Sequence, residues 1–146
     1  RSTTQLVQVD QSFNSFPPPQ RSGKKSITLL KDYMKIEDRN ENNFVILSID
    51  GNIILEDTSK LKETVEVFIE DENLAGVIMN CEKVQFVDSS GLGLIVSIYK
   101  TLLKRGQKFA LTNLNERTKE IFILTKLDKI MTITDSDSDA IKLLNA

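Results

Sequence analysis

The sequence predicts an α/β fold built on one mixed β-sheet, and two observations support this. Short apolar runs that are typical of buried strands alternate with longer segments in which apolar residues recur at helical spacing. Such alternation implies parallel strands joined by helical crossovers, whereas the first two strands follow each other without a helix and should pair antiparallel. We therefore expect a mostly parallel sheet with an antiparallel N-terminal hairpin, packed with about four α-helices.

The elements can be assigned in order along the chain. Strands are predicted at residues 34–38, 44–50, 74–80, 108–112 and 130–133, and helices at residues 58–71, 90–105, 115–124 and 136–144. The first helix carries Leu61, Val65 and Phe68 at helical spacing, so it should pack on the core. N-caps for the last two helices are offered by Asn113-Leu114-Asn115 and by Asp135-Ser136-Asp137.

The N-terminal part of the chain differs in composition from the rest. Residues 1–33 are rich in Gln, Ser and Thr and include Phe16-Pro17-Pro18-Pro19, a composition that buries little apolar surface. We expect residues 1–33 to form a flexible N-terminal extension and residues 34–146 to form one domain. Because the chain begins with Arg1 and Met34 could be a natural start, the extension is interpreted as a vector remnant. A functional N-terminal arm is the alternative.

Composition and charge narrow the classes of function. The 146-residue chain carries a formal net charge of −2 and no basic patch, so direct nucleic-acid binding is not expected. It has no apolar run of the length that spans a bilayer, and its single cysteine, Cys81, cannot form an internal disulfide. These features predict a cytoplasmic protein without membrane association.

The residue types also argue against an enzyme. Histidine is absent, which excludes Ser-His-Asp and Cys-His catalytic sites and any zinc site that needs histidine. The loop containing Gly91 and Gly93 lacks the lysine of a nucleotide-binding loop. We therefore expect no catalytic residues, no metal and no cofactor.

The segment around Asp88 carries the clearest functional signal. It places Asp88, Ser89, Ser90 and two glycines between a strand-like segment and an apolar helix. Ser89 or Ser90 is expected at the helix N-cap, where the exposed backbone amides and the helix dipole tolerate a negative group. The fold could therefore carry a phosphate here without unfolding.

The helix that follows has two apolar surfaces. Projection at about 100° per residue predicts a core-facing stripe. Its members are Leu92, Ile95, Val96, Tyr99 and Leu103. Leu94 and Ile98 fall outside this stripe, and two interpretations remain open: they pack under a neighbouring element, or they form an exposed docking ridge.

The motif resembles the phosphorylation-site signature of the STAS domains, and in particular of the bacterial anti-sigma-factor antagonists. The resemblance rests on Phe86-Val87-Asp88-Ser89-Ser90-Gly91-Leu92-Gly93 and extends from about Met34 to Leu144. It implies a STAS-type sheet and a phosphoacceptor at Ser89, with Ser90 as the second candidate. One position departs from the family pattern, because Asn52 in Gly51-Asn52-Ile53-Ile54 stands where many members carry an acidic residue.

The resemblance also implies a function and its partners. In the unphosphorylated state the chain would bind a kinase-like anti-sigma factor and free a sigma factor for transcription, and a serine phosphatase would reverse the phosphorylation. The expected partner-binding residues are Asp88, Ser89, Ser90, Gly91, Leu92, Gly93, Leu94 and Ile98. The alternative is a STAS scaffold or transporter-associated module without a sigma-factor partner.

Overall fold

The structure is a computed structural model that describes residues 25–30 and 34–146. Its strands are β1 (Lys25–Leu30), β2 (Met34–Glu41), β3 (Phe44–Asp50), β4 (Gly76–Lys83), β5 (Lys108–Thr112) and β6 (Thr132–Thr134). Its helices are α1 (Leu55–Ile69), α2 (Ser89–Lys104), α3 (Glu116–Leu124) and α4 (Asp137–Asn145), and a 3-10 turn covers Leu127–Lys129. The strands form one sheet in the order β1-β2-β3-β4-β5-β6.

The sheet is mixed, as predicted. The β1–β2 and β2–β3 pairs are antiparallel, and the pairs from β3 to β6 are parallel. Asn42 and Asn43 join β2 to β3 with positive φ angles of 53° and 69°, a conformation that suits a tight hairpin and that Asn tolerates. The predicted fold class, with its N-terminal hairpin and four helices, is confirmed within the described residues.

The sheet begins before the predicted domain boundary. Six residue pairs from Lys25↔Arg39 to Leu30↔Met34 join β1 to β2, so a strand lies inside the segment that the sequence analysis assigned to a flexible extension. The remaining residues of that segment, 1–24 and 31–33, lie outside the described residues. Averaging the composition over 33 residues hid a short apolar run, Ile27-Thr28-Leu29-Leu30, at its end.

Two apolar layers lie on opposite faces of the sheet. Alternate residues of β3 point to different layers because successive side chains of a strand face opposite sides. Val45 and Leu47 belong to the larger core with residues of α1, α2 and α3, whereas Phe44 and Ile46 belong to a smaller core under α4. Full burial of an aliphatic or aromatic side chain of this kind contributes about 1.5–3 kcal/mol.

Hydrogen bonds fix the start of α4 on the sheet. The Asp137 carboxylate accepts from the Thr112 hydroxyl at 2.6 Å and from the Asn80 side-chain amide at 3.0 Å. Arg39 donates to the same carboxylate at 3.4 Å. This polar cluster attaches the start of α4 to one face of the sheet. The other three helices pack on the opposite face.

Candidate functional site

The site lies where two neighbouring parallel strands end. Strand β3 leads into residues 51–54 and then α1, and strand β4 leads into residues 84–88 and then α2. Because β3 and β4 are parallel neighbours, both connections lie at the same edge of the sheet, the usual position of sites in such folds. The Ile53 amide donates to the Phe86 carbonyl at 3.0 Å, and the Asp88 amide donates to the Ile53 carbonyl at 3.2 Å.

Asp88 is the N-cap of α2. Its Oδ1 atom accepts from the Gly91 amide at 2.7 Å, and its backbone is extended, as an N-cap requires. The prediction that Ser89 or Ser90 occupies the N-cap is therefore wrong by one or two positions. Aspartate and serine are equally good N-cap residues, so the sequence alone could not choose between adjacent candidates.

The same carboxylate also reaches a second helix. Asp88 Oδ2 accepts from the amide of Leu55, the first residue of α1, at 3.1 Å. Asp88 therefore uses one oxygen for each of two helix N-termini, and the negative charge lies where both helix dipoles favour it.

Ser89 is the first residue of α2 and its side chain is exposed, whereas Ser90 is half-buried. The position of Ser89 one residue after the N-cap leaves its hydroxyl at the positive end of the helix dipole. A kinase could reach this hydroxyl without opening the domain. Ser90 is the less accessible of the two candidates.

The two glycines of the motif have different surroundings. A Cβ atom at Gly91 would lie 2.1 Å from the Ile53 carbonyl oxygen, so only glycine permits this close approach of α2 to the 51–54 connection. A Cβ atom at Gly93 would meet nothing within 4 Å, and Gly93 is exposed one helical turn after Ser89. Gly91 is needed for close packing, whereas Gly93 leaves the surface beside Ser89 without a protruding side chain.

The close packing at Gly91 sets the rotation of α2. The residues of α2 that are buried are Gly91, Leu94, Ile95, Ile98 and Leu102. Leu94 is 7% exposed and Ile98 is 3% exposed, so the docking-ridge interpretation is wrong and both side chains belong to the core. Leu92 is half-buried against that core. Leu103, which the projection placed in the core, is 60% exposed.

Two exposed apolar side chains beside the motif were missed by the sequence analysis. Leu55 is 66% exposed at the start of α1, and Phe86 is 42% exposed two residues before Asp88. Little in the sequence indicates that these side chains are exposed, because Phe86 continues a strand-like apolar pattern and Leu55 follows two isoleucines. The exposure of both side chains depends on how the two connections pack together.

Asn52 has a structural role at the position where the chain departs from the family pattern. Its side-chain oxygen accepts from the Phe86 amide at 3.1 Å, which joins the 51–54 connection to the 84–88 connection. An amide oxygen is sufficient for this bond. The site therefore holds its two connections together without a carboxylate at residue 52.

Neither a cluster of metal ligands nor a reactive thiol occurs among residues 25–30 and 34–146. In this part of the chain, no group of three or more His, Cys, Asp or Glu side chains could hold a metal ion. No helix in it has the length and apolarity that crossing a bilayer requires. Cys81 is a free thiol in β4, 1% exposed, and burial, with a smaller contribution from Asp137, raises its pKa to about 12. A thiol with this pKa stays protonated at neutral pH and is a poor nucleophile.

The chain matches the sequence model of a known domain family. The sequence model described as the STAS domain matches residues 35–140. An anti-sigma F factor antagonist of Paenibacillus polymyxa is 24% identical over 108 residues, which cover 74% of this chain and 92% of the relative.

Two solved structures are similar in fold. The anti-sigma factor antagonist from Mycobacterium paratuberculosis has a TM-score of 0.70 at 20% identity, over 79% of this chain and 97% of that one. The Bacillus cell fate determinant SpoIIAA in its phosphorylated form has a TM-score of 0.59 at 19% identity, over 75% of this chain and 98% of that one. The Paenibacillus and Mycobacterium proteins are both named anti-sigma factor antagonists. The chain belongs to the STAS domain family.

Proposed function

We propose that this chain is an anti-sigma factor antagonist whose binding to a kinase-like anti-sigma factor is switched by phosphorylation of Ser89. The observation that carries the proposal is the exposure of Ser89 at the first position of α2, beside an aspartate whose two oxygens are already engaged. Ser89 is thus free for modification, while Asp88 holds the backbone that presents it.

The local electrostatics explain how a phosphate would switch binding without unfolding the domain. Phosphorylation adds a charge of about −1.5 to −2, and the N-terminus of α2 stabilises negative charge. The same charge lies on an exposed surface, where a docked protein would have to displace its water. The phosphorylated chain would therefore keep its fold and release its partner, and a serine phosphatase would restore binding.

The partner-binding surface that we propose differs from the one expected from the sequence. Ser89, Ser90 and Gly93 remain on it, with the half-buried Leu92 at its border. Asp88 and Gly91 support this surface from below. Leu94 and Ile98 are buried, so the proposed surface does not include them. The exposed side chains of Leu55 and Phe86 are the apolar groups available in their place.

The relatives support the same role. The Paenibacillus relative is named an antagonist of an anti-sigma factor, and SpoIIAA, which shares the fold, has been solved with its phosphate. In this scheme ATP and Mg²⁺ belong to the kinase, so the chain itself needs no cofactor. The circuit acts through protein contacts in the cytoplasm, without direct binding to nucleic acid or membrane.

The decisive experiment is phosphorylation by the candidate anti-sigma factor with ATP, followed by intact-mass measurement and site mapping. The parent should gain one phosphate on Ser89, Ser89→Ala should gain none, and the matched variant Ser90→Ala should be labelled like the parent. Both alanine variants should still bind the anti-sigma factor. Labelling of Ser89→Ala together with loss of labelling in Ser90→Ala would move the acceptor to Ser90.

The binding consequence is tested with Ser89→Asp. This variant should bind the anti-sigma factor at least about tenfold more weakly, with an unfolding free energy within about 0.5 kcal/mol of the parent, because an acidic side chain is favourable in the first turn of a helix. A scaffold or transporter-associated module would instead bind its partner equally well with and without the charge.

A further inference from the structure

Helix α1 begins without a cap of its own. Its N-cap residue, Ile54, has the extended backbone of an N-cap but an apolar side chain that accepts no hydrogen bond. The N-cap side chains of α2, α3 and α4, which are Asp88, Asn115 and Ser136, each accept an amide of their own helix. Among the four described helices, α1 alone relies on an acceptor from elsewhere in the chain.

That acceptor is Asp88, 33 residues away in sequence. One carboxylate oxygen caps α2 through Gly91, and the other accepts the amide of Leu55 at the start of α1. The backbone bonds between Ile53 and residues 86 and 88 bring the two helix starts together. The first turn of α1 and the turn that carries Ser89 therefore share one polar contact.

We propose that Asp88 is a positioning residue for partner binding, which holds the first turn of α1 and its exposed Leu55 beside Ser89 as one docking surface. The proposal rests on the proposed function, since the partner is the anti-sigma factor that phosphorylates Ser89. Asp88 acts through α1: its two oxygens point at backbone amides, and the contact with the partner is made by Leu55. The phosphoacceptor and the apolar contact thus lie on different helices and are aligned by one side chain.

The variant Asp88→Asn should remove one of the two hydrogen bonds and keep the other. Asparagine has a single side-chain oxygen and is a good N-cap, so it should keep the bond to the Gly91 amide and leave the Leu55 amide without an acceptor. Hydrogen exchange on the chain alone should become about fivefold faster at the Leu55 amide, the change expected for loss of one cap, with little change at Gly91. Affinity for the anti-sigma factor used in the kinase assay should fall by a similar factor.

A second substitution should rescue the first. Ile54→Ser gives α1 an acceptor in its own N-cap, where the backbone already has the required conformation. In the Asp88→Asn background it should restore affinity to within about twofold of the parent. Ser136→Ala is the matched control, because it removes one cap from α4 on the opposite face and should lower stability without changing affinity.

Two results would overturn the positioning role and leave the proposed function intact. Unchanged exchange at Leu55 in Asp88→Asn would show that Asp88 does not hold the start of α1, whatever the partner does. Weakened binding that Ile54→Ser fails to rescue would show that Asp88 contacts the partner directly. If the unaltered chain binds no anti-sigma factor, the proposed function and the positioning role both fail, whereas the exchange measurement still reports on the cap.

Discussion

The residues of the Asp88–Gly93 motif divide into two groups by what they contact. Asp88 and Gly91 face the interior of the site, one through its two amide contacts and the other through its close approach to Ile53. Ser89 and Gly93 face solvent one helical turn apart. This division explains why one short stretch of sequence can both fix a backbone and present a modifiable hydroxyl.

Cys81 provides a residue-scale test of the core. Because the thiol is buried and its pKa is raised to about 12, we expect almost no reaction with an aromatic disulfide reagent in the native protein at about pH 8. Reaction should become complete once denaturant unfolds the chain, which is the control. Fast labelling of the native protein would contradict the burial of β4.

The same pKa shift predicts how stability depends on pH. The folded pKa lies above the ordinary value of 9.0, so the native state keeps a proton that the unfolded state loses. The contribution of Cys81 to stability should therefore be complete below about pH 9 and decline as the pH rises towards about 12. The difference in unfolding free energy between the parent and Cys81→Ala, measured with urea, should shrink over the range from about pH 8 to about pH 10.5.

At the scale of elements, the rotation of α2 marks the limit of periodicity arguments. The predicted core stripe, with Ile95, Tyr99 and Leu103 among its members, is displaced by about one residue from the observed stripe that contains Leu94 and Ile98. The cause is Gly91, which packs against the backbone of Ile53. A projection that counts apolar side chains gives no weight to a glycine, so it could not find this contact.

The corrected rotation predicts the effect of charge on α2. Ile98→Lys should destabilise the domain by more than about 3 kcal/mol, because it places an unpaired charge in the core. Leu103→Lys, on the same helix at 60% exposure, should change stability by less than about 0.5 kcal/mol. Urea unfolding of both variants measures the difference. An Ile98→Lys protein as stable as the parent would show that the helix is rotated as the sequence predicted.

The first residues of the helices show when an N-cap can be predicted from the local sequence. Asn115 accepts from the Thr118 amide at 2.8 Å and Ser136 from the Asp139 amide at 3.1 Å, so the predicted caps of α3 and α4 are confirmed. The start of α1 was placed at residue 58, three residues late. Its first turn depends on Asp88, and no pattern near Leu55 indicates an acceptor 33 residues away.

At the scale of the whole molecule, alternation of strands and helices was sufficient to predict the sheet, because each crossover leaves a strong pattern of its own. Strand β1 leaves a weaker pattern. It has six residues, it follows a polar segment, and it gains its hydrogen bonds by pairing with β2 rather than from local features. Edge strands of this kind are specified by the neighbour that they cover.

The pairing of β1 predicts how truncation affects stability. Removing residues 1–33 deletes β1 and leaves β2 as the edge strand of the sheet. Strand β2 contains the buried side chains of Met34 and Ile36. We expect the melting temperature to fall by about 10 °C, since the loss of a paired strand costs a few kcal/mol and each kcal/mol corresponds to several degrees in a domain of this size.

The matched control removes residues 1–24 alone and keeps β1. Its melting temperature should stay within about 2 °C of the parent, because that segment has few apolar residues to bury. Thermal unfolding of the two truncated chains, followed by circular dichroism, separates the contribution of β1 from that of the polar segment before it. Equal melting temperatures for the two chains would show that the sheet is stable from Met34 onwards, as the sequence alone suggested. A lower melting temperature for the chain that lacks β1 would place the N-terminal boundary of the stable domain at Lys25. This boundary lies before the residues that the family model matches.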